Sequence, residues 1–331
     1  MRRKNLKVNG FKFVMALLFV GMLSCKDAPK EQANDKDKDS VAVTAASEEP
    51  FFKLSLAQWS MHRMIRNEGV DPYSFAQKAS EWGFSGLEYV SGLYYDELKA
   101  ANFSKEAMDA FVAKSNAESE KYGLKNLLIM IDGQGDLATP DAAKRKAAVE
   151  NHYKWVDAAA AMGCHAIRVN LSGSNNQEEW IASSVDGLTQ LATYAKDKNI
   201  NVLVENHGGL SSNAALLAEV MTKVDMENCG TLPDFGNFCI KRTPNGCDES
   251  YDPYQGLSEL MPHALAVSAK SNVFDENGNE RNLDYGRILK IVKDAGYTGY
   301  IGVEYEGGEL SEEEGILATR DLLIKEGSKL N

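Results

Sequence analysis

Eight short apolar runs, each followed by an amphipathic stretch typical of a helix, dominate the sequence from residue 51 onward. Successive runs begin roughly 30–40 residues apart, which is the length of one strand, one helix and two loops. The runs occupy residues 52–58, 86–90, 126–131, 166–171, 201–205, 230–234, 264–269 and 300–305. This repetition predicts an α/β fold, and specifically a TIM (β/α)8 barrel.

Helical segments are predicted between the runs, at residues 72–82, 105–122, 142–162, 184–198, 214–224, 285–295 and 312–325. Four of them are followed directly by a glycine, the residue that best caps a helix C-terminus: Gly83, Gly123, Gly163 and Gly296. A doubly wound open sheet is the alternative. Such sheets usually carry a glycine-rich phosphate loop after the first strand, and the loop after residue 58 has none, so the barrel is favoured.

Residues 1–24 are typical of a secretory signal peptide. Five basic residues and no acidic one precede an apolar run at 13–23. This run is too short to span a bilayer comfortably. The run ends in Met22-Leu23-Ser24-Cys25, which resembles a bacterial lipobox. We therefore expect an exported lipoprotein, anchored to the membrane by a lipid on Cys25 and facing the periplasm or the cell surface. A plain signal peptide with an incidental cysteine is the alternative.

Residues 25–50 are rich in Asp, Lys, Ala, Ser and Glu and are predicted to be a disordered tether. The barrel would then occupy residues 51–331. Export permits disulfides, and Cys239 and Cys247 flank a short loop in which they could pair. Free buried thiols are an equally good interpretation of these two cysteines.

The charge of the chain argues against nucleic-acid binding. The chain has 36 basic and 48 acidic residues, and removal of the first 24 residues would leave a net charge of −17. Such an acidic body repels a phosphate backbone. The sequence leaves a homo-oligomer open.

Three predicted strands end in a carboxylate: Glu205 on the fifth strand, Asp234 on the sixth and Glu304 on the eighth. In a TIM barrel these strand ends converge on one rim, where active sites lie. Like charges held together there repel one another unless a cation neutralises them. Oxygen ligands suit Mn²⁺ or Mg²⁺, with Zn²⁺ open if a histidine joins the site.

The motifs VENHGG (204–209), LPDFGN (232–237), VSAKS (267–271) and GYIGVEYEG (299–307) resemble those of the xylose isomerase-like TIM barrels, a family of sugar phosphate isomerases and epimerases. The resemblance covers residues 51–328. In that family a Glu, an Asp, a His and a Glu on strands five to eight bind one divalent metal. Carried over, the ligands are Glu205, Asp234 and Glu304. Ser268 stands where the histidine is expected, so three carboxylates with water, substitution by His207, or weak metal binding all stay open.

The resemblance implies an isomerase or epimerase of sugars or keto-sugars, in which Glu205 and Glu304 move a proton next to a carbonyl. It also implies that Lys270, the lysine of the family pattern, contacts substrate. Arg168 lies on one strand face with Asn170 and would bind substrate or form an internal salt bridge. Trp59, after the first strand, could stack on a sugar ring, and His207 would face the substrate. Glu88, on the second strand, would be a ligand at the rim or a salt-bridge partner.

Two other functions are compatible with the sequence. One is a metal-assisted lyase or hydrolase acting on oxidised glycosides, because one fold supports several reactions. The other is a non-catalytic sugar-binding lipoprotein that has lost its metal, which the missing histidine favours. Export shifts the expected substrate toward an unphosphorylated sugar.

Overall fold

The structure is a computed structural model that describes residues 49–331. The predicted signal peptide and lipidation site at Cys25, and all but the last residues of the predicted tether, lie outside the described residues and stay predictions. Eight parallel strands form one curled sheet: β1 Lys53–Ala57, β2 Gly86–Val90, β3 Lys125–Met130, β4 Ala166–Val169, β5 Asn201–Glu205, β6 Cys229–Leu232, β9 Val267–Ser271 and β10 Tyr300–Tyr305. Between β6 and β9 the chain adds an antiparallel hairpin of β7 Cys239–Thr243 and β8 Gly246–Ser250.

The sheet order is β6-β5-β4-β3-β2-β1-β10-β9, and its two outer strands approach each other. Parallel bridges join Thr231 to Ala264 and Asp234 to Ser268. The Ser268 amide donates to the Pro233 carbonyl at 3.0 Å, and the Phe235 amide donates to the Ser268 carbonyl at 3.0 Å. These bonds close the sheet, which confirms the predicted TIM barrel.

In the described part of the chain, ten α-helices surround the strands: α1 His62–Glu68, α2 Phe75–Glu81, α3 Tyr95–Ala100, α4 Lys105–Lys121, α5 Ala142–Ala161, α6 Gln177–Lys196, α7 Ala214–Val224, α8 Pro253–Leu260, α9 Tyr285–Asp294 and α10 Glu312–Gly327. Many begin at a Ser, Asp or Asn whose side chain accepts a backbone N–H, as at Ser104, Asp141 and Asn213. Within residues 49–331, no helix has the length and apolarity that a membrane crossing needs.

The strands of the eight-stranded sheet are buried on both faces along most of their length, as parallel strands covered by helices require. The inner face is partly polar. Ser55, Glu88, Arg168 and Ser268 are almost fully buried there. The barrel interior therefore holds a polar layer just below the rim.

The β7–β8 hairpin carries a disulfide, and one histidine of α5 is buried. Cys239 and Cys247 form a disulfide across the hairpin, with their Cα atoms 5.8 Å apart. His152 is buried, and its Nδ1 lies 2.7 Å from the Ala148 carbonyl oxygen. The reason is helical spacing, since His152 lies on the same face of α5 as the buried residues Ala148 and Trp155.

Candidate metal centre

Three carboxylates converge at the C-terminal ends of β5, β6 and β10. Glu205, Asp234 and Glu304 each offer an oxygen atom, and these atoms all lie within 4.8 Å of one another. All three side chains are buried. Among the described residues this is the one group of three or more acidic, histidine or cysteine side chains close enough to hold a metal ion. We call it the carboxylate triad.

Glu205 is the last residue of β5, and its two oxygen atoms have different surroundings. Oε1 accepts a hydrogen bond from Asn237 Nδ2 at 2.9 Å. Oε2 lies 2.8 Å from Arg168 Nε, but the N–H is not aligned with it, so the two atoms form an ion pair without a hydrogen bond. A buried carboxylate oxygen without a hydrogen bond is uncommon in native structures, and a cation would satisfy it.

Asp234 is held by a tight turn after β6. Its Oδ1 accepts the backbone N–H groups of Gly236 at 2.9 Å and Asn237 at 2.8 Å. Asn206, the residue after β5, fixes this turn. Its Nδ2 donates to the Asp234 carbonyl, and its Oδ1 accepts the Asp234 backbone N–H. Burial, together with Glu205 and Glu304, raises the pKa of Asp234 against the opposing effect of Lys270.

Lys270 supplies the nearest positive charge to Glu304. Its Nζ lies 3.0 Å from Glu304 Oε1 and 3.3 Å from Glu306 Oε2. Burial alone would lower the pKa of Lys270, but Glu304 and Asp234 raise it well above its usual value. Burial likewise acts to raise the pKa of Glu304, yet Lys270 and Arg168 leave it lowered, so Glu304 is ionised.

Ser268 projects into the triad from β9. Its Oγ donates to Asp234 Oδ2 at 2.7 Å and lies 3.3 Å from Glu304 Oε2. The strand-seven position is therefore beside the triad but carries a hydroxyl. His207 is exposed and is not part of the triad, so it does not take the place of the expected histidine in this arrangement.

The triad has the chemistry of a divalent cation site. Oxygen ligands bind Mg²⁺, Mn²⁺ or Ca²⁺ at about 2.0–2.6 Å, so two ligands of one ion lie at most about 5 Å apart. The spacing within 4.8 Å meets that limit. The unbonded Glu205 Oε2 and the raised pKa of Asp234 are both features that a bound cation would relieve.

Arg168 connects the triad to the loop after β3. Its Nη1 donates to Asp132 Oδ1 at 2.9 Å, and Asn170 Nδ2 donates to the same oxygen at 2.9 Å. Burial acts to raise the pKa of Asp132, but Arg168 outweighs it and the pKa is lowered. Arg168 therefore forms an internal salt bridge, and it also lines the cavity above the triad.

A cavity of about 580 Å³ opens above the triad. Trp59 lines it, stacked on His62 with ring centroids 4.5 Å apart, and its Nε1 donates to Glu306. The sequence-predicted residues Trp59, Arg168, His207 and Lys270 thus share one cavity with Glu304. Arg66 on α1 and Arg242 on β7 also line the cavity, and neither was predicted from the sequence.

Glu88 lies in the barrel interior outside the triad. Its Oε1 accepts from Ser55 Oγ at 2.6 Å, while Oε2 has no hydrogen-bond partner. Gly302 makes room for it, because a Cβ there would lie 2.5 Å from both carboxylate oxygens. Burial raises the pKa of Glu88 to about 8. The group is therefore a neutral carboxylic acid through most of the physiological range, and it is not a ligand at the rim.

We expect Glu88→Gln to remove part of the pH dependence of stability in the metal-free protein. Between the ordinary pKa of 4.5 and the folded value of about 8, the folded state keeps a proton that the unfolded state releases. The free energy of unfolding therefore falls by about 1.4 kcal/mol for each unit that the pH rises through this window. Glutamine does not titrate, so the variant gains several kcal/mol over the wild type at pH 9.

Urea unfolding of both proteins at pH 4 and pH 9, in the presence of a chelator, measures this gain. Glu81→Gln on the exposed surface is the control, because it removes one carboxylate that is not buried. A Glu88→Gln advantage that is the same at both pH values would contradict the assignment.

Two curated proteins match parts of the chain. The α subunit of a 3'-dehydrocarminate deglycosidase from Microbacterium sp. is 46% identical over 50 residues, which is 15% of this chain and 14% of that protein. The α subunit of a C-glycoside deglycosidase from Arthrobacter globiformis is 38% identical over 79 residues, 23% of this chain and 21% of that protein. The chain therefore matches less than a quarter of the length of either relative.

Solved structures match the whole barrel. A D-allulose 3-epimerase from Methylomonas sp. has a TM-score of 0.62 at 15% identity, covering 84% of this chain and 98% of its own. A 3-keto-D-glucoside 4-epimerase from E. coli has a TM-score of 0.59 at 15% identity, over 82% and 98%. The IOLI protein with a bound zinc atom has a TM-score of 0.61 at 14% identity, over 84% and 99%. At these identities the likeness establishes the fold.

The profile of one protein family matches most of the barrel, from residue 76 to residue 326. This range includes the whole carboxylate triad and the Ser268 position. The chain belongs to the xylose isomerase-like TIM barrel family.

Proposed function

We propose that the protein is a metal-dependent isomerase or epimerase that moves a proton next to the carbonyl of a sugar or keto-sugar. The observation that carries the proposal is the buried triad of Glu205, Asp234 and Glu304 below an open, polar cavity. Two of its members are glutamates on strands from different sides of the barrel. This arrangement suits a reaction in which one carboxylate removes a proton and another returns it.

When bound by the triad, a divalent cation would polarise the substrate carbonyl and stabilise negative charge on the neighbouring oxygen. Glu304 would act as the base, because Lys270 and Arg168 keep it ionised. Glu205, the second glutamate of the triad, would return the proton. The Lys270 ammonium, 3.0 Å from Glu304, is close enough to donate a hydrogen bond to a substrate oxygen beside the reacting carbon.

Several features support a sugar as the substrate. Trp59 and the Arg66 guanidinium that lies 4.8 Å from its ring centroid both line the cavity, and the remaining lining is rich in hydrogen-bonding groups. Two solved structures with the same fold are, by their names, a D-allulose 3-epimerase and a 3-keto-D-glucoside 4-epimerase. The predicted export favours an unphosphorylated sugar.

A deglycosidase acting on oxidised glycosides is the second candidate, and the names of the two curated relatives favour it. Such a reaction can also begin with removal of a proton next to a ketone, after which the bond to the leaving group breaks. The same triad could serve both reactions. They differ in whether the proton returns or a leaving group departs.

One experiment separates these candidates. The protein is incubated with Mn²⁺ and a panel of sugars, keto-sugars and oxidised glycosides in D₂O, and the products are followed by NMR and mass spectrometry. Deuterium at a carbon next to the carbonyl, in an isomerised product of unchanged skeleton, supports the proposal. Release of an aglycone identifies the deglycosidase, and sugar binding without turnover or bound metal identifies a binding protein.

We further propose Mn²⁺ or Mg²⁺ as the metal, because the triad and Ser268 offer only oxygen donors. Ser268→His would add the imidazole that zinc favours. We expect its zinc affinity to rise by at least ~10-fold relative to its Mn²⁺ affinity, as measured by competition with a chelating dye. Ser268→Ala is the matched control and should show no such gain. Equal zinc affinity in both variants would mean that residue 268 does not reach the metal.

A further inference from the structure

A second cavity, of about 340 Å³, adjoins the cavity above the triad. The two share His207 and Gly208 in their walls. The second cavity lies over the loop after β4, residues 170–175, and over residues 207–211 after β5. Its position makes it a neighbour of the proposed reaction site on the same rim of the barrel.

The lining of the second cavity is polar and uncharged. Among the described residues that line it there is no Lys, Arg, Asp or Glu. Asn170, Ser172 and Asn175 contribute amide and hydroxyl groups, and the buried Trp180 forms part of the wall. Neutral donors and acceptors match the hydroxyl groups of a sugar, whereas a phosphate or carboxylate would find no positive partner.

The side-chain oxygen of Asn170, near the boundary of the two cavities, is a hydrogen-bond acceptor without a donor. Its Nδ2 donates to Asp132 Oδ1 at 2.9 Å, whereas its buried Oδ1 has no hydrogen-bond partner. Asp132 lines the first cavity and Asn170 lines the second. A ligand hydroxyl placed there would satisfy the amide oxygen.

The volumes exceed what one sugar ring needs. A hexose has roughly the volume of six water molecules at about 30 Å³ each, or about 180 Å³. Both cavities, at about 580 Å³ and 340 Å³, hold a ring of that size. Gly208 forms the backbone at the shared wall with a φ of 85°, and a Cβ on it would meet no atom within 4 Å. The space next to this glycine is therefore open.

We propose that the natural substrate is a two-unit neutral glycoside. Its reacting ring occupies the cavity above the triad, and its attached sugar or aglycone occupies the second cavity, with His207 and Asn170 at the junction. This inference rests on the proposed function, since it names the substrate class of the same site.

The test compares a one-ring with a two-ring probe. We use 3-keto-D-glucose and 3-ketotrehalose, in which one of two glucose rings is oxidised, and measure deuterium exchange with Mn²⁺ in D₂O. The wild type should show a kcat/KM at least ~10-fold higher for the two-ring probe. Ser172→Trp, which fills the second cavity from an exposed position, should remove this preference while the one-ring probe still exchanges. Ser258→Trp, exposed on α8, is the control and should keep the preference.

Equal kcat/KM for the two probes in the wild type would overturn the inference, and so would a preference that persists in folded Ser172→Trp. If that variant does not fold, Asn175→Trp replaces it. If neither probe exchanges or turns over, the proposed function fails. In that case, calorimetric binding of both probes to the wild type still decides the inference, because tighter binding of the two-ring probe supports two subsites and equal binding refutes them.

Discussion

Replacing Glu304 by glutamine is expected to lower kcat for carbon-bound proton exchange by about 10³-fold or more. General base catalysis contributes about 10²–10⁴-fold, and glutamine cannot accept the proton. The change also removes a charged ligand from the triad and the counter-ion of Lys270. Because the amide keeps the size of the side chain, the barrel should fold normally. The measurement is the rate of deuterium incorporation at saturating Mn²⁺.

The matched control is Glu309→Gln. Glu309 lies a few residues farther along the chain, is exposed, and pairs with Arg281 outside the cavity. Its loss should leave exchange unchanged. Exchange by Glu304→Gln within tenfold of the wild type would show that another group removes the proton. Glu205→Gln should be similarly slow, because that side chain has the complementary role.

Replacing Asp234 by asparagine should weaken Mn²⁺ binding by about 100-fold or more, since a ligand charge is lost from a set of three. The turn after β6 should survive, because an amide oxygen can still accept the N–H groups of Gly236 and Asn237 that Oδ1 accepts in the wild type. The affinity is measured by calorimetric titration. As a second readout, Mn²⁺ should raise the melting temperature of the wild type far more than that of the variant.

Asp197→Asn controls for the loss of one negative charge. Asp197 caps the end of α6 on the exposed surface, and its replacement should not alter Mn²⁺ affinity. An Asp234→Asn protein that binds Mn²⁺ as tightly as the wild type would mean that the ion lies elsewhere in the molecule.

Much of the fold could be predicted from the sequence, because the apolar runs of the strands alternate with helical segments at a regular spacing along the chain. β2, β5 and β10 begin and end at the predicted residues. The short helices α1, α3 and α8 and the β7–β8 hairpin were not predicted. They lie in the connections after strands, where six to eight residues are too few for a periodic pattern to stand out.

The triad was predictable because each carboxylate lies at or near the C-terminal end of a strand, and these strand ends meet at one rim. The charged residues around it were harder to place. Arg66 and Arg242 reach the cavity from elements that the sequence did not reveal. The Arg168–Glu205 and Lys270–Glu304 pairs depend on the register between neighbouring strands, which no single strand encodes. The second cavity depends on loop conformations after β4 and β5, and those have no periodic signature.

We propose that Glu205, Asp234 and Glu304 together hold one divalent cation. The most direct test is anomalous diffraction at the manganese edge from crystals of the protein soaked in Mn²⁺. We expect one strong peak per chain, bonded to all three carboxylates, with no protein nitrogen ligand because Ser268 stands at the position of the expected histidine. A peak bound to other residues, or none at a Mn²⁺ concentration that saturates the protein in solution, would contradict it.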